Sequence, residues 1–178
     1  MADIAAPDTT APHGGAPEVR ETDVLVVGGG PVGLMSALLL ARQGVRSIVV
    51  ERRRRTTHAP KAHVINPRTI EICHAAGLDV DAMYARATSR DDDRVTRFVT
   101  RVMDRELGSM LFEYCDDTYT PFPRMNLMQP RFEALLVEAI HDQPMITLAE
   151  GGEWLGYTDA PHGVTSSVAF GGEQVELT

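Results

Sequence analysis

The feature that most constrains this chain is "TDVLVVGGGPVGLMSALLLARQG", residues 22–44. A short apolar strand, "TDVLVV" (22–27), runs into Gly28-x-Gly30-x-x-Gly33, whose last gap holds Pro31 and Val32. A helical pattern rich in Ala and Leu opens at once, "PVGLMSALLLARQG" (31–44), with Gly44 placed to end it. "VRSIVVE" (45–51) then reads as a second, β-branched strand. Strand, glycine turn, helix and strand make a βαβ unit, so the strands should be parallel and the crossover right-handed.

Three glycines in this spacing carry little weight in isolation. Here the turn follows a strand, opens a helix, and is followed by a second strand ending in an acid. Each glycine has its own physical role. Gly28 permits the tight turn, Gly30 lets a pyrophosphate approach the backbone, and Gly33 lets helix and strand pack closely. The helix start offers unpaired N–H groups and a partial positive charge to phosphates. Glu51 falls close to the spacing, about 20 residues, of the acid that hydrogen-bonds a ribose diol. A carboxylate there repels a 2′-phosphate, so the pattern points to FAD or NAD and away from NADP.

Four arginines, Arg52 to Arg55, follow that acid. Nucleic acid, a cofactor phosphate or plain water could each explain them. A formal net charge of -8 argues against a general nucleic-acid binder, so the basic run is local. Arg53, Arg54 and Arg55 are read as a solvated loop, with phosphate attraction as the functional alternative. The two cysteines, Cys73 and Cys115, lie far apart and outside any C-x-x-C pattern, which fits a reducing, cytoplasmic setting. Residues 1–20 read as a disordered leader without the basic start and apolar block of a signal peptide. No apolar run approaches the roughly 20 residues of a membrane span.

Beyond the βαβ unit, "NPRTIEICHAAGL" (66–78) predicts a helix capped by Asn66, with Pro67 in the first turn and Gly77 at the exit. "VTRFVTRVM" (95–103) and "SMLFEY" (109–114) predict a hairpin turning through "DREL" and Gly108. "PRFEALLVEAIHDQP" (130–144) predicts a helix, and residues 145–178 predict a β-meander of three or so strands. His58 and His63 match no metal spacing. "RDDDR" (90–94) lacks the glycine and distal glutamate of a calcium loop and reads as a charged turn. Glu71 and His74 are expected to pair on one helix face. Neither a metal site nor a catalytic nucleophile is expected. The fold class is α/β, a Rossmann-like βαβ unit with an appended hairpin and meander over residues 21–178.

The segment "TDVLVVGGGPVGLMSALLLARQGVRSIVVER" resembles the opening of the flavoprotein aromatic hydroxylases. These are FAD-dependent monooxygenases of the para-hydroxybenzoate hydroxylase fold, similar to phenol and chlorophenol monooxygenases. The likeness continues through "APKAHVINPRTIEICHAAGL" and again in "NLMQPRFEALL", in order, from about residue 22 to about residue 140. It implies a three-layer, glutathione-reductase-like FAD domain. It places Gly28, Gly30, Pro31, Val32 and Gly33 around the FAD pyrophosphate and Glu51 on the adenosine ribose. Arg52 would lie along the adenine or its ribose, and Gln129 would contact the flavin side, just before the helix from Pro130. Lys61 stands where the family usually has arginine. Lysine keeps the charge but lacks the planar fork that grips a phosphate bidentately.

The resemblance also implies a chemistry and its partners. NAD(P)H is the electron donor, a flavin hydroperoxide the oxygenating species, and a small phenolic ring the substrate, with neither nucleic acid nor membrane as partner. It further implies an Asp-Gly pair, a substrate-binding sheet and a Gly-Asp motif later in the chain than Thr178. The FAD domain is therefore expected to be incomplete and to bind FAD weakly or not at all when alone. The alternative reading is a non-catalytic dinucleotide-binding or interaction module.

Overall fold

The computed structural model describes residues 16–18, 20–54, 61–93, 95–111, 120–141 and 143–178. Most of the leader expectation lies outside them, as do Arg55, His58 and Cys115.

The βαβ unit forms where the sequence places it. Strand β1 (Val24–Val27) leads through the glycine turn to helix α1 (Pro31–Arg42) and on to strand β2 (Ser47–Glu51). A short strand β3 (Val64–Ile65) is followed by α2 (Pro67–Ala75) and α3 (Val80–Arg86). The Asn66 side chain caps α2 by accepting the Thr69 N–H at 2.8 Å, and Gly77, with φ of 89°, provides the left-handed exit. The sequence reading had no helix at α3. Asp79 starts it, accepting the Ala82 N–H at 3.0 Å, and that Asp cap was the available signal.

Next come the hairpin strands β4 (Val95–Val99) and β5 (Glu106–Leu111), then β6 (Met125–Asn126), helix α4 (Gln129–His141) and strand β7 (Ile146–Glu150). The chain finishes with β8 (Gly152–Ala160), β9 (Gly163–Phe170) and β10 (Glu173–Leu177). The hairpin turns earlier than expected. Gly108 lies inside β5 opposite Phe98, and residues 112–119 lie outside the described set. Polar contacts close the turn without glycine. Thr100 donates its hydroxyl to Asp104 at 2.8 Å, while its N–H reaches the Arg105 carbonyl at 3.1 Å.

The parallel sheet has the order β1-β2-β7, with Val26 opposite Val49 and Val49 opposite Leu148. This corrects the reading of residues 145–178 as one meander. The first piece, β7, joins the parallel sheet, and only β8, β9 and β10 form the antiparallel meander, in the order β10-β9-β8. The reason is that α4 returns the chain to the start of β2, where the Ser47 N–H meets the Met145 carbonyl at 2.9 Å. A strand entered that way runs parallel to β2.

Strand β2 is buried on both faces, as its run of aliphatic residues requires. Val49 faces a core built by Leu34, Leu38, Ile70, Met83, Leu127 and Leu136 from the helical side. Ile48 and Val50 face Val168, Phe170, Val175 and Leu177 of the meander. Helices, parallel sheet and meander thus form three layers around two cores. Beside β1, Thr178 is tied to the lead-in segment, with Thr178 N–H to the Arg20 carbonyl at 2.9 Å and Thr22 N–H to the Thr178 carbonyl at 2.7 Å. Among the described residues, no helix is long and apolar enough to cross a membrane.

Candidate functional site

Helices α1 and α4 each return the chain to the start of the strand that follows, so both begin at the carboxyl edge of the parallel sheet. That edge is where open α/β sheets hold ligands. Gly28, the first residue past β1, has φ of 106°, a conformation that suits glycine, and its N–H reaches the Val50 carbonyl at 2.8 Å. A Cβ on Gly28 or Gly30 would meet nothing within 4 Å, so the backbone there faces open space. At Gly33 the opposite holds. A Cβ would overlap the Gly28 carbonyl oxygen and press on Val26, because helix and turn touch there. Gly30 is the N-cap of α1 and has no side chain to cap it, and Pro31 occupies the first turn. The first-turn N–H groups therefore have no side-chain acceptor, and Val32 projects into solvent.

Glu51 ends β2, and its carboxylate reaches back to the glycine turn. One oxygen accepts the Gly29 N–H at 2.7 Å, and the other accepts the Arg53 N–H at 2.8 Å. A carboxylate has about four lone-pair sites, so two backbone donors leave room for further hydroxyl donors. A cavity of about 300 Å³ opens beside it, lined by Gly28, Glu51, Arg52, Arg53, Gly152 and Trp154 among others. That volume is at the lower end of ligand pockets, roughly 300–1,000 Å³. Arg52 crosses to the meander, with its guanidinium 3.3 Å from a Glu153 oxygen, both side chains being exposed. Such a pair is weak and easily opened. Arg53 lines the cavity and is exposed, in keeping with a solvated position. The sequence reading also missed Gly152 and Trp154. Their signal was "ITLAEGGEW", an apolar strand ending in an acid and two glycines.

Gln129 opens α4, and its backbone is bonded to the residue that follows Lys61. The Gln129 N–H donates to the Ala62 carbonyl at 2.8 Å, beside the β3–β6 pairing of Val64 with Asn126. Gln129 is the first residue of α4 rather than the residue before it, and its amide nitrogen donates to Glu133 at 2.7 Å. Lys61 is exposed. His63 Nδ1 lies 3.0 Å from the Asn126 amide oxygen, which requires His63 to donate.

The remaining candidates are structural. Glu71 pairs with Arg68 at 2.8 Å instead of with His74, whose ring lies 5.1 Å from that of Phe122. Arg68 sits one turn earlier on the same face and carries a permanent charge. Arg90–Asp93 form a 3-10 turn in which Arg90 lies over the Tyr84 ring and Asp93 pairs with Arg124 at 3.1 Å. Among the described residues, no group of three or more His, Cys, Asp or Glu side chains could hold a metal ion.

A parallel βαβ unit, an open glycine backbone before an uncapped helix, and an acid at the end of the next strand define a dinucleotide-binding α/β domain. This chain belongs to the family of FAD binding domains, whose model matches residues 21–178. It is similar to the FAD-dependent monooxygenase apdD of Emericella nidulans, 33% identical over 154 residues, which cover 79% of this chain and 24% of that protein. It is also similar to the 2,4-dichlorophenol 6-monooxygenase of Delftia acidovorans, 39% identical over 93 residues, covering 52% of this chain and 16% of that one. In structure it resembles the flavin-dependent monooxygenase PieE, solved with FAD and substrate, with a TM-score of 0.78 and 33% identity over 91% of this chain and 29% of that chain. This chain thus spans about a quarter or less of the length of these curated relatives.

Proposed function

We propose that this chain is the FAD-binding portion of an NAD(P)H-dependent flavoprotein monooxygenase that hydroxylates phenolic or other aromatic substrates. The observation that carries the FAD reading is that Gly28, the first residue of the open glycine turn, and Glu51, whose carboxylate is bonded to the Gly29 N–H, line one cavity at the carboxyl edge. The residues fit the cofactor. Gly28, Gly30, Pro31, Val32 and Gly33 hold the pyrophosphate against the start of α1, by backbone N–H groups and the helix dipole. Glu51 accepts the ribose hydroxyls of the adenosine half, and its negative charge excludes a 2′-phosphate. Arg52 leaves Glu153 to lie along the adenosine. Lys61, and Gln129 at the start of α4, serve the flavin side.

FAD held there would supply the redox chemistry of a monooxygenase, with NAD(P)H as the electron donor. The protein's share is to orient the cofactor, hold its charge and keep water out. The glutathione-reductase-like, Rossmann-type reading of the domain rests on the three-layer packing of helices, parallel sheet and meander. The two separated cysteines favour a cytoplasmic setting. The test is equilibrium dialysis of the purified chain against FAD, FMN and NAD. Preferential retention of FAD is expected, and retention of NAD without FAD overturns the reading.

A further inference from the structure

The pocket beside Glu51 has one wall that the glycine-turn logic does not explain. Trp154, from β8, lines it together with Gly28 and Glu51. We propose that Trp154 is the stacking surface for the adenine ring, a specificity element of the cofactor site contributed by the meander. This rests on the FAD reading above and assigns a residue to its adenosine end.

The geometry of β8 aims the indole there. Two residues earlier, a Cβ on Gly152 would run into the Phe170 ring and Val50, so this face of β8 is pressed against β2. Alternate residues share a strand face, which puts Trp154 on that same face one step further along. Strand β2 has by then ended at Glu51, so the indole looks past its end and into the cavity. Next in β8 comes a bulge, where the pairing with β9 shifts between Trp154 and Gly156 and leaves Leu155 as the extra residue. In a regular strand Trp154 and Tyr157 would point to opposite faces. The extra residue brings them to one side, where their rings stack at 6.3 Å and 22°. Tyr157 thereby braces the indole from behind. A flat apolar ring held about 38% exposed, lining the same cavity as the proposed ribose-binding acid, is complementary to an adenine face.

The chain contains one tryptophan, so its emission reports on this pocket alone. The 178-residue chain is titrated with ADP, which has no flavin to quench by energy transfer, and FAD binding is followed in parallel by calorimetry. ADP is expected to quench Trp154 emission saturably. Trp154→Ala is expected to weaken FAD binding about 10-fold, and Trp154→Phe, which keeps a ring, no more than about 3-fold. If FAD binds while ADP leaves the emission unchanged, or while Trp154→Ala binds as tightly as wild type, the assignment is wrong and the FAD reading stands. Binding of neither FAD nor ADP overturns both. Should Trp154→Ala lose its fold by circular dichroism, the ADP quench on the wild-type chain decides the matter.

Discussion

The Glu51 carboxylate accepts the backbone N–H of Gly29 at 2.7 Å, so the acid that ends β2 is bonded to the turn that ends β1. This bond fixes the spacing between the proposed pyrophosphate and ribose positions before any cofactor arrives. Glu51→Ala removes the ribose acceptor and loosens the turn together. A hydrogen bond to a charged group contributes about 1.5–3 kcal/mol, so FAD affinity should fall roughly 10- to 100-fold by calorimetric titration. Unchanged affinity would sink the assignment of Glu51.

The glycines separate stability from binding. Gly33→Ala forces a methyl group onto the Gly28 carbonyl, a backbone atom that cannot swing aside. Overpacking of this kind costs about 1–3 kcal/mol, and urea denaturation should show it. Gly30→Ala meets nothing within the chain and sits at a negative φ of -75°, so its denaturation midpoint should stay close to wild type. Its methyl group instead occupies the space proposed for pyrophosphate, and FAD affinity is what should drop. The reverse pattern would contradict the placement of the cofactor.

Asn66 caps α2 through the Thr69 N–H. Asn66→Ala should destabilise the chain by about 1 kcal/mol in chemical denaturation, while Asn66→Asp, which retains an acceptor, should lose little.

The Arg46 side-chain and backbone N–H bonds hold the Asp23 carboxyl below its ordinary pKa. A depressed carboxylate pKa stabilises the fold above the unfolded value, near ~3.9, and that stabilisation disappears as pH falls through the folded value. The pair is exposed, so the effect is small. Asp23→Asn should be slightly less stable than wild type at neutral pH, with the two converging in urea midpoints measured toward pH 3. Curves that stay parallel would remove Asp23 from the acid response.

Burial pushes the Cys73 thiol up to about 11, and its side chain is fully enclosed in the helical core. The thiolate is the reactive form, so iodoacetamide at pH 8 should leave Cys73 unmodified in the native chain and modify it in urea. Peptide mass spectrometry reads the site directly, and equal labelling in both conditions would show that the core is open.

Much of the site was legible because its signals are local. Gly28 and Gly33 are demanded by a turn and a close contact a few residues apart, and Asn66 and Pro67 announce α2 for the same reason. Other elements were hidden because their role depends on a distant partner. The segment "ITLAE" looks like any short strand until α4 delivers it beside β2, and Gly108 looks like a turn residue until Phe98 is found across from it. Arg53 carries the same charge as its neighbours, and only the closure of the cavity sets it apart.

The sequence by itself determined the βαβ order, the open glycine backbone before α1 and the acid at the end of β2. Backbone sterics, helix capping and spacing along the chain decide those without reference to remote residues. Only the tertiary structure decided that β7 joins the parallel sheet, that Glu51 bonds to Gly29, and that Trp154 forms a wall of the Glu51 cavity. These depend on which faces meet across 22 residues for Glu51 and Gly29, and across roughly a hundred for β7 and Trp154, and no local pattern encodes that choice.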